Sequence, residues 1–391
     1  MMLRKIAASL LCISLCVSVT ACKKPAFLEK LSFFKSQSGL SSKELDELLI
    51  KAEQGDQDAL DKLNDIAEKG KADDQISLGD RYHQGEGVPR DIAKAIYWYQ
   101  KAANQGNAQA GHTLGIIYMN GLGVPKDDAK AFGWFQKSAE QGDQKAQYLL
   151  GGMYENGKGV LKDDAKAIYW YQKAADQGYY LAQCNLGIMY MNGRGVPKDD
   201  AKAVYWLQKA ADQGYHLAQC NLGIMYMNGR GVLKDVAKAI YLIQRAANQE
   251  NVHAQRFLGI IYMNGLGVSK DDAKAFDWFQ KSAEQGDTVA QYFLGHMYEN
   301  GKGVPKDDAK AIYWYQKAAK EGDTEARIAL QRMQQKQRDS YSNMTYQSSQ
   351  QTSSSQRKPA LNLGNIFERL RQNSSKTKSA HLDNEEPDYL K

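Results

Sequence analysis

A short glycine motif recurs along this chain at a constant interval and limits what the chain can fold into. The motif Gly-x-Gly-Val begins at seven positions, each 36 residues after the one before: Gly85, Gly121, Gly157, Gly193, Gly229, Gly265 and Gly301. All six tryptophans keep the same interval, and Leu242 stands at the one equivalent position without Trp. A fixed period of this length is typical of solenoids, in which each repeat packs on its neighbours. The chain is therefore predicted to form one extended array.

Each regular repeat carries two helical patterns. In the third copy the spacing of apolar residues predicts a first helix from about Gln144 to Glu155 and a second from about Asp164 to Gln177. Asp163 is placed to cap the second helix, and Gly178 to close it in the left-handed conformation. Trp170 is expected to fill the space between helices. The predicted fold class is all-α, an α/α superhelical solenoid of about seven 36-residue helix-turn-helix repeats.

Composition changes outside the repeats divide the chain into further segments. The predicted boundaries are a lipoprotein signal peptide at 1–21, a tether at 22–42, a helical N-terminal capping unit at 43–70, the solenoid at 71–331, and a disordered Gln/Ser-rich tail at 332–391. The tail contains a brief amphipathic stretch at 361–372. The fifth copy departs most from the pattern, because Val236, Leu242 and Glu250 replace an Asp, the Trp and the closing Gly.

The first residues have the features of an export signal. Arg4 and Lys5 precede an apolar run, and small residues stand just before Cys22. The segment resembles a bacterial lipoprotein lipobox, which implies cleavage before Cys22, acylation of that cysteine and anchoring to a membrane. Lys23 and Lys24 follow Cys22 and resemble the residues that direct bacterial lipoproteins to the outer membrane. A location at the outer membrane, facing the periplasm or the surface, is therefore expected. The alternative is an ordinary secretory signal whose cysteine stands there by chance.

Charge and side-chain chemistry exclude several functions. A net charge of +6, spread over alternating Lys and Asp, does not form the segregated basic face that nucleic acids require. The Asp pairs recur at helix starts and are interpreted as caps, the Gly-x-Gly loops lack the phosphate-binding context, and the histidines form no zinc motif. Cys184 and Cys220 occupy equivalent positions of adjacent repeats, too far apart for a disulfide, and are predicted to be free thiols. No cofactor or metal is expected.

The repeat consensus is specific. Ala110, Leu114-Gly115, Tyr118, Gly121-Leu122-Gly123-Val124, Lys130-Ala131 and Trp134 carry it in one copy. The pattern is similar to the Sel-one-like repeat family, relatives of the tetratricopeptide repeats, and covers most of the mature chain. This resemblance implies a superhelix that binds protein partners in host interaction, envelope assembly or polysaccharide export. A cysteine-rich branch has been associated with weak β-lactam hydrolysis, but this chain lacks that cysteine pattern.

One face of the first helices changes between copies while the consensus stays constant. Residues two, six and nine after the recurring Ala share this face, and in tetratricopeptide-like superhelices the first helices line the concave side. The candidates for partner binding are His112, Met119, Tyr148, Glu155, Met191, Met227, Arg256, Met263, Tyr292, His296 and Glu299. The alternative is that the Met and Ile positions on this face belong to the core between repeats.

The sequence therefore predicts an exported, lipid-anchored scaffold for protein-protein interactions without enzymatic activity. Two alternatives stay open. One is a cell-wall-related enzyme with weak β-lactam hydrolysis, for which no serine or metal constellation is visible in the array. The other is a structural spacer of the envelope, which would have no specific ligand.

Overall fold

A computed structural model describes residues 42–352, and this part of the chain folds into seventeen helices and no strand. The signal peptide, Cys22 with its predicted acylation, the tether up to residue 41 and the tail beyond residue 352 lie outside the described residues. The helices are α1 Ser42–Glu53, α2 Gln57–Lys69, α3 Ala72–Gln84, α4 Ile92–Asn104, α5 Ala108–Asn120, α6 Asp128–Glu140, α7 Gln144–Asn156, α8 Asp164–Asp176, α9 Tyr180–Asn192, α10 Asp200–Asp212, α11 His216–Asn228, α12 Val236–Asn248, α13 Val252–Asn264, α14 Asp272–Glu284, α15 Thr288–Asn300, α16 Asp308–Lys320 and α17 Thr324–Thr352.

Seven helix pairs, from α3–α4 to α15–α16, form the seven repeats, and the solenoid fold is as predicted. In the third repeat α7 and α8 begin at the predicted residues and end one residue from the predicted ends. The Asp163 carboxylate accepts a hydrogen bond from the Lys166 N–H at 2.9 Å, and this bond lowers the pKa of Asp163. Gly178 has φ of 94°, in the left-handed region. Each helix packs against the next in the chain.

The two glycines of each loop have different tasks. The first, such as Gly157, ends the first helix in the left-handed conformation, and its N–H donates to the Met153 carbonyl. The second lies against the second helix of the preceding repeat. A Cβ at Gly159 would stand 2.1 Å from the Asp128 carbonyl oxygen, so no other residue fits without a backbone shift. The loops of the second to seventh repeats are thus docked on the repeat before each, whereas Gly87 of the first loop lies against Arg81 of its own repeat.

Charged pairs accompany this docking in the third to fifth repeats. The Arg194 guanidinium, between the two loop glycines, lies 2.8 Å from Glu155 and 3.4 Å from Asp164 at the start of α8. Arg230 lies 2.7 Å from Asp200 in the same way. The interval from acid to base is 30 residues in both pairs, so each pair joins one repeat to the next.

Tryptophan fills the space between repeats, as predicted. Trp170 is 9% exposed and belongs to a cluster with Phe135 of α6 and Leu150 of α7, so it contacts the repeat before its own. Trp206 and Leu242 occupy the same place in the next two clusters. These large side chains are buried in core clusters that span the junction between repeats, so they help hold each repeat on the one before it.

A ladder of glutamine side chains runs through the array and was not predicted. The amide of buried Gln183 donates to the Ala175 carbonyl at 3.1 Å, and its oxygen accepts from Gln213 at 2.8 Å. Equivalent pairs join Gln75 to Gln105, Gln147 to Gln177, Gln219 to Gln249 and Gln255 to Gln285. Where Glu321 replaces the partner glutamine, the buried Gln291 oxygen has no hydrogen-bond partner. The ladder provides hydrogen-bond partners for buried amide groups, which would destabilise the fold if they were left without partners.

The fifth repeat shows what its altered residues do. Glu250 has φ of 63° and is the non-glycine residue with positive φ among the described residues. A side chain in this left-handed conformation is strained, typically by about 1 kcal/mol. Asp235 still caps α12 through the Lys238 N–H at 2.9 Å, and Leu242 is buried. The helix pair is therefore intact, and the strain is confined to one turn.

The two ends of the array differ. At the N-terminal end, α1 and α2 precede the first repeat, with Leu45, Leu49 and Leu63 buried, and their role as a cap stays a prediction. At the C-terminal end the prediction of disorder from residue 332 needs correction, because α17 continues as a helix to Thr352. The first turns of α17 pack on α16 through Met333. Because a helix that has already formed is extended at little cost, α17 continues into the polar sequence that follows. Between residues 42 and 352, none of the helices is both long and apolar enough to cross a membrane.

Candidate partner-binding face

The predicted partner-binding face lies on the first helices of six consecutive repeats, α5 to α15. All eleven candidates are half-buried: His112, Met119, Tyr148, Glu155, Met191, Met227, Arg256, Met263, Tyr292, His296 and Glu299. Each therefore has one side against the array and one side toward solvent. What any of them binds stays a prediction.

The methionines contribute to packing between repeats. Met119 packs against the cluster that contains Phe135 and Trp170, and Met191, Met227 and Met263 have equivalent places against the next clusters. This arrangement agrees with the alternative that these positions belong partly to the core. Cys184 and Cys220, two residues after the recurring Ala, are fully within it.

The charged candidates have partners inside the array. Glu155 accepts a hydrogen bond from the Tyr171 hydroxyl at 2.6 Å and pairs with Arg194, and Glu299 accepts from the Tyr315 hydroxyl at 2.9 Å. Burial and the adjacent carboxylate raise the pKa of Tyr171 far above its ordinary value, so this hydroxyl remains a donor.

The other two charged contacts follow the same pattern. Arg332 of α17 binds Glu299 through both carboxylate oxygens, at 2.8 and 2.7 Å, and Arg256 pairs with Asp287 at 2.7 Å. These charges fix helices to one another. A partner that used them would have to compete with or extend an existing ion pair.

The histidines and cysteines are poorly suited to chemistry. Burial lowers the pKa of His112 and of His296, which favours the neutral ring. Cys184 and Cys220 are free thiols, as predicted, and burial raises the pKa of each to about 12. A thiol with such a pKa is a weak nucleophile at neutral pH. Within residues 42–352 no group of three or more His, Cys, Asp or Glu side chains is placed to hold a metal.

An aromatic strip, defined as Tyr148, Tyr179, Tyr180, Tyr215 and His216, crosses the third to fifth repeats and was not predicted. Consecutive ring centroids along it are 5.3, 5.8, 5.1 and 5.2 Å apart. The strip begins at Tyr148 of the partner-binding face and follows the N-terminal ends of α9 and α11. Tyr180 is 39% exposed, and the other four side chains are half-buried.

A signal for the strip was present in the sequence. The residue before most first helices is Asn or Asp, whereas Tyr179 and Tyr215 stand there in two adjacent repeats. A tyrosine at an N-cap position provides no carboxylate or amide oxygen for the helix N–H groups. In these two neighbouring copies the capping group is replaced by an aromatic side chain that packs against a core cluster.

Comparison with known proteins agrees with the fold. The Sel1 repeat profile matches residues 72–107, 112–143, 144–179, 181–215, 216–251, 252–287 and 288–323, seven copies in all. No match was found among curated proteins.

Two solved structures are similar over most of the chain. One is c5321, a protective antigen of uropathogenic Escherichia coli strains with an SLR fold, which is 41% identical over 78% of this chain with a TM-score of 0.65. The chain spans 66% of the length of that protein. The other is a Sel1 repeat protein from Oxalobacter formigenes, 32% identical over 84% of this chain and 99% of that chain, with a TM-score of 0.63. Because the repeat profile covers more than half of the sequence, the chain belongs to the Sel1 repeat family, whose members generally mediate protein-protein interactions.

Proposed function

We propose that this protein is an exported, lipid-anchored scaffold that binds protein partners on the concave side of its superhelix, through the partner-binding face. The observation that carries the proposal is the contrast within each repeat. The buried Ala, Leu and Gly of the first helix recur from copy to copy, whereas the half-buried positions beside them change between Tyr, Arg, His and Met. A constant frame with a variable exposed face is typical of solenoids that bind proteins.

The anchoring part of the proposal depends on the first residues. Small residues before Cys22, after an apolar run with a basic start, favour lipidation of this cysteine. Several acyl chains on one residue would hold the protein at a membrane stably. The description of the E. coli relative as a protective antigen is in keeping with an exported protein.

Crosslinking in intact cells tests both parts. Cells that produce the chain with Cys22, or with Cys22→Ser, are crosslinked, and captured proteins are identified by mass spectrometry. We expect the Cys22 form in the membrane fraction and one recurrent partner, whose recovery falls at least tenfold when Tyr148 and Tyr292 are changed to Ala. Tyr313→Ala is the matched control, because Tyr313 is 50% exposed on a second helix.

Each outcome has a definite reading. Equal membrane recovery of both Cys22 forms would contradict the lipid anchor. Capture that does not change with the Tyr148 and Tyr292 substitutions would contradict the proposed face. No captured protein with either form would instead favour the envelope spacer.

A further inference from the structure

We propose that the aromatic strip binds a basic, proline-rich peptide in the polyproline II conformation. The inference rests on the proposed function, since it names the class of partner for a surface that begins at Tyr148 of the partner-binding face. It is carried by three features of the third to fifth repeats: ring geometry, surplus negative charge and the replacement of helix caps.

The spacing of the rings can accommodate an extended proline helix. Tyr180 lies between Tyr179 and Tyr215, with ring centroids 5.8 and 5.1 Å away. Tyr179 and Tyr215 are therefore at most about 11 Å apart, a limit that admits the ~9 Å that one three-residue turn of polyproline II spans. Prolines three residues apart can each lie on a ring of successive repeats. Aromatic-lined surfaces bind such peptides because the proline helix is already ordered before binding.

The edge that carries the strip is acidic. Asp176 and Asp212 are exposed and stand three residues before Tyr179 and Tyr215. Burial raises the pKa of Tyr179, and the charge of Asp143 raises it further. Over 140–145, 176–181, 212–217 and 248–253 the carboxylates are Glu140, Asp143, Asp176, Asp212 and Glu250, against one lysine, Lys145. A peptide with Arg between its prolines would meet carboxylates and tyrosine faces, both of which attract a cation.

Nearby lysines do not neutralise this edge at the strip. Lys173 lies over the rings of Tyr169 and Trp170, and Lys209 lies over those of Tyr205 and Trp206. These ring pairs are on the second helices. Lys173 and Lys209 are thus engaged by rings of the second helices, and Lys145 is the one lysine within the stretches named above.

Tyr179 and Tyr215 do not stabilise the starts of their helices through a capping bond, although both side chains pack against core clusters of the array. The first helices α5, α7, α13, α15 and α17 are each capped by an Asn or Asp oxygen at 2.6 to 3.1 Å. At α9 and α11 the tyrosines form no such side-chain cap. The tyrosines present aromatic rings at these positions in place of short polar side chains, and aromatic rings suit contact with proline.

Fluorescence anisotropy with defined peptides tests the proposal on the chain from residue 22 with Cys22→Ser. The probes are labelled nine-residue peptides of three Arg-Pro-Pro or three Glu-Pro-Pro units, with a tetramer of N-acetylglucosamine as competitor. We expect saturable binding of the basic peptide, at least tenfold tighter than that of the acidic peptide and weakened by salt. The sugar tetramer should not displace it.

Variants separate loss of binding from loss of fold. The pair Tyr179→Asn with Tyr215→Asn should weaken binding at least tenfold while circular dichroism remains that of the parent, because Asn caps α5 and α13 at the same position. Tyr180→Ala should also weaken binding, and Tyr205→Ala, on the second helix of the same repeat, should not.

Three results would overturn the proposal: equal affinity for the acidic and basic peptides, displacement by the sugar tetramer, or unchanged binding by the Asn pair. Cellular crosslinking is read separately. Partner capture that survives the Asn pair but not the Tyr148 and Tyr292 substitutions would reject the peptide proposal and leave the scaffold proposal standing.

Discussion

The central and flanking repeats of this solenoid have the same interior and different edges. In the fourth and fifth repeats the residue before the first helix is Tyr179 or Tyr215. In the second, third, sixth and seventh repeats it is a capping Asn or Asp. The second helices of both groups keep the same capping Asp, and the loops keep both glycines. The difference shows that one 36-residue unit can hold its neighbours and vary its surface independently.

The shared interior is tested first, because its loss should have the largest effect. Trp170→Ala and Trp206→Ala should each lower the free energy of unfolding by about 3–5 kcal/mol, since each leaves a cavity at a junction between repeats. Urea denaturation measures the change. Tyr169→Ala, at a 52% exposed neighbour of Trp170, is the control and should change stability by less than about 0.5 kcal/mol. A large difference between the two Trp variants would show that the interiors are not equivalent.

The close approach of helices within a repeat gives the next effect. A Cβ at Gly115 would stand 2.4 Å from the Phe135 ring, so Gly115→Ala should destabilise by about 1–3 kcal/mol. Gly133 is a matched control in the partner helix α6, where an added Cβ meets nothing within 4 Å. Gly133→Ala should stabilise by up to about 1 kcal/mol through helix propensity. Thermal unfolding should therefore shift in opposite directions.

Cap removal addresses the edges themselves. Asn107→Ala should destabilise by about 1 kcal/mol, because the Ala110 N–H loses its acceptor at 3.1 Å. Tyr180→Ala, at the same edge of a central repeat, removes no cap and should change urea stability by less than about 0.5 kcal/mol. A larger loss for Tyr180→Ala than for Asn107→Ala would mean that the aromatic strip stabilises the array.

Removal of the strain in the turn at Glu250 of the fifth repeat should increase stability. Glu250→Gly should raise the free energy of unfolding by about 0.5–1 kcal/mol, because glycine adopts φ of 63° without the strain of a side chain. Gly178→Ala makes the reverse change at the equivalent turn and should destabilise by about 1 kcal/mol. Equal stability of all three chains would show that the turn relaxes in solution.

The buried thiols should have the smallest effect at neutral pH. Their pKa of about 12 exceeds the ordinary value of 9.0, so they stabilise the fold below pH 9, and this contribution is lost as pH rises toward 12. Replacing both with Ala should flatten that alkaline loss in urea titrations. In a chain with its other cysteines changed to Ser, maleimide at pH 8 should label neither thiol before unfolding and both afterwards.

Periodicity alone predicted most of the frame. The spacing of apolar residues located α7 and α8 to within one residue, and Asp163 could be recognised as a cap because capping is a local interaction. The prediction that Cys184 and Cys220 are free thiols followed from their position one repeat apart.

Contacts between repeats could not be predicted in the same way. The aromatic strip joins rings from three repeats, and the glutamine ladder joins residues 30 apart in sequence, so neither follows from local patterns. Glu155 was chosen because it lies nine residues after the recurring Ala, on a face that changes between copies, but its binding to Tyr171 and Arg194 depends on how helices and repeats dock. The helical continuation of α17 to Thr352 runs against its composition and depends on packing at its start.

The docked loops also limit how such an array could be rearranged by recombination. A deletion of 180–215 would bring the loop of Arg230 over Asp164, which restores an acid-base pair at the new junction. A deletion of 216–251 would bring the loop of Leu266 over Asp200 and leave that carboxylate without its guanidinium, because Leu266 normally stands in the loop that covers Val236. Units of identical length therefore form junctions that differ in their charge pairing, and the order of the copies decides which junctions carry an ion pair.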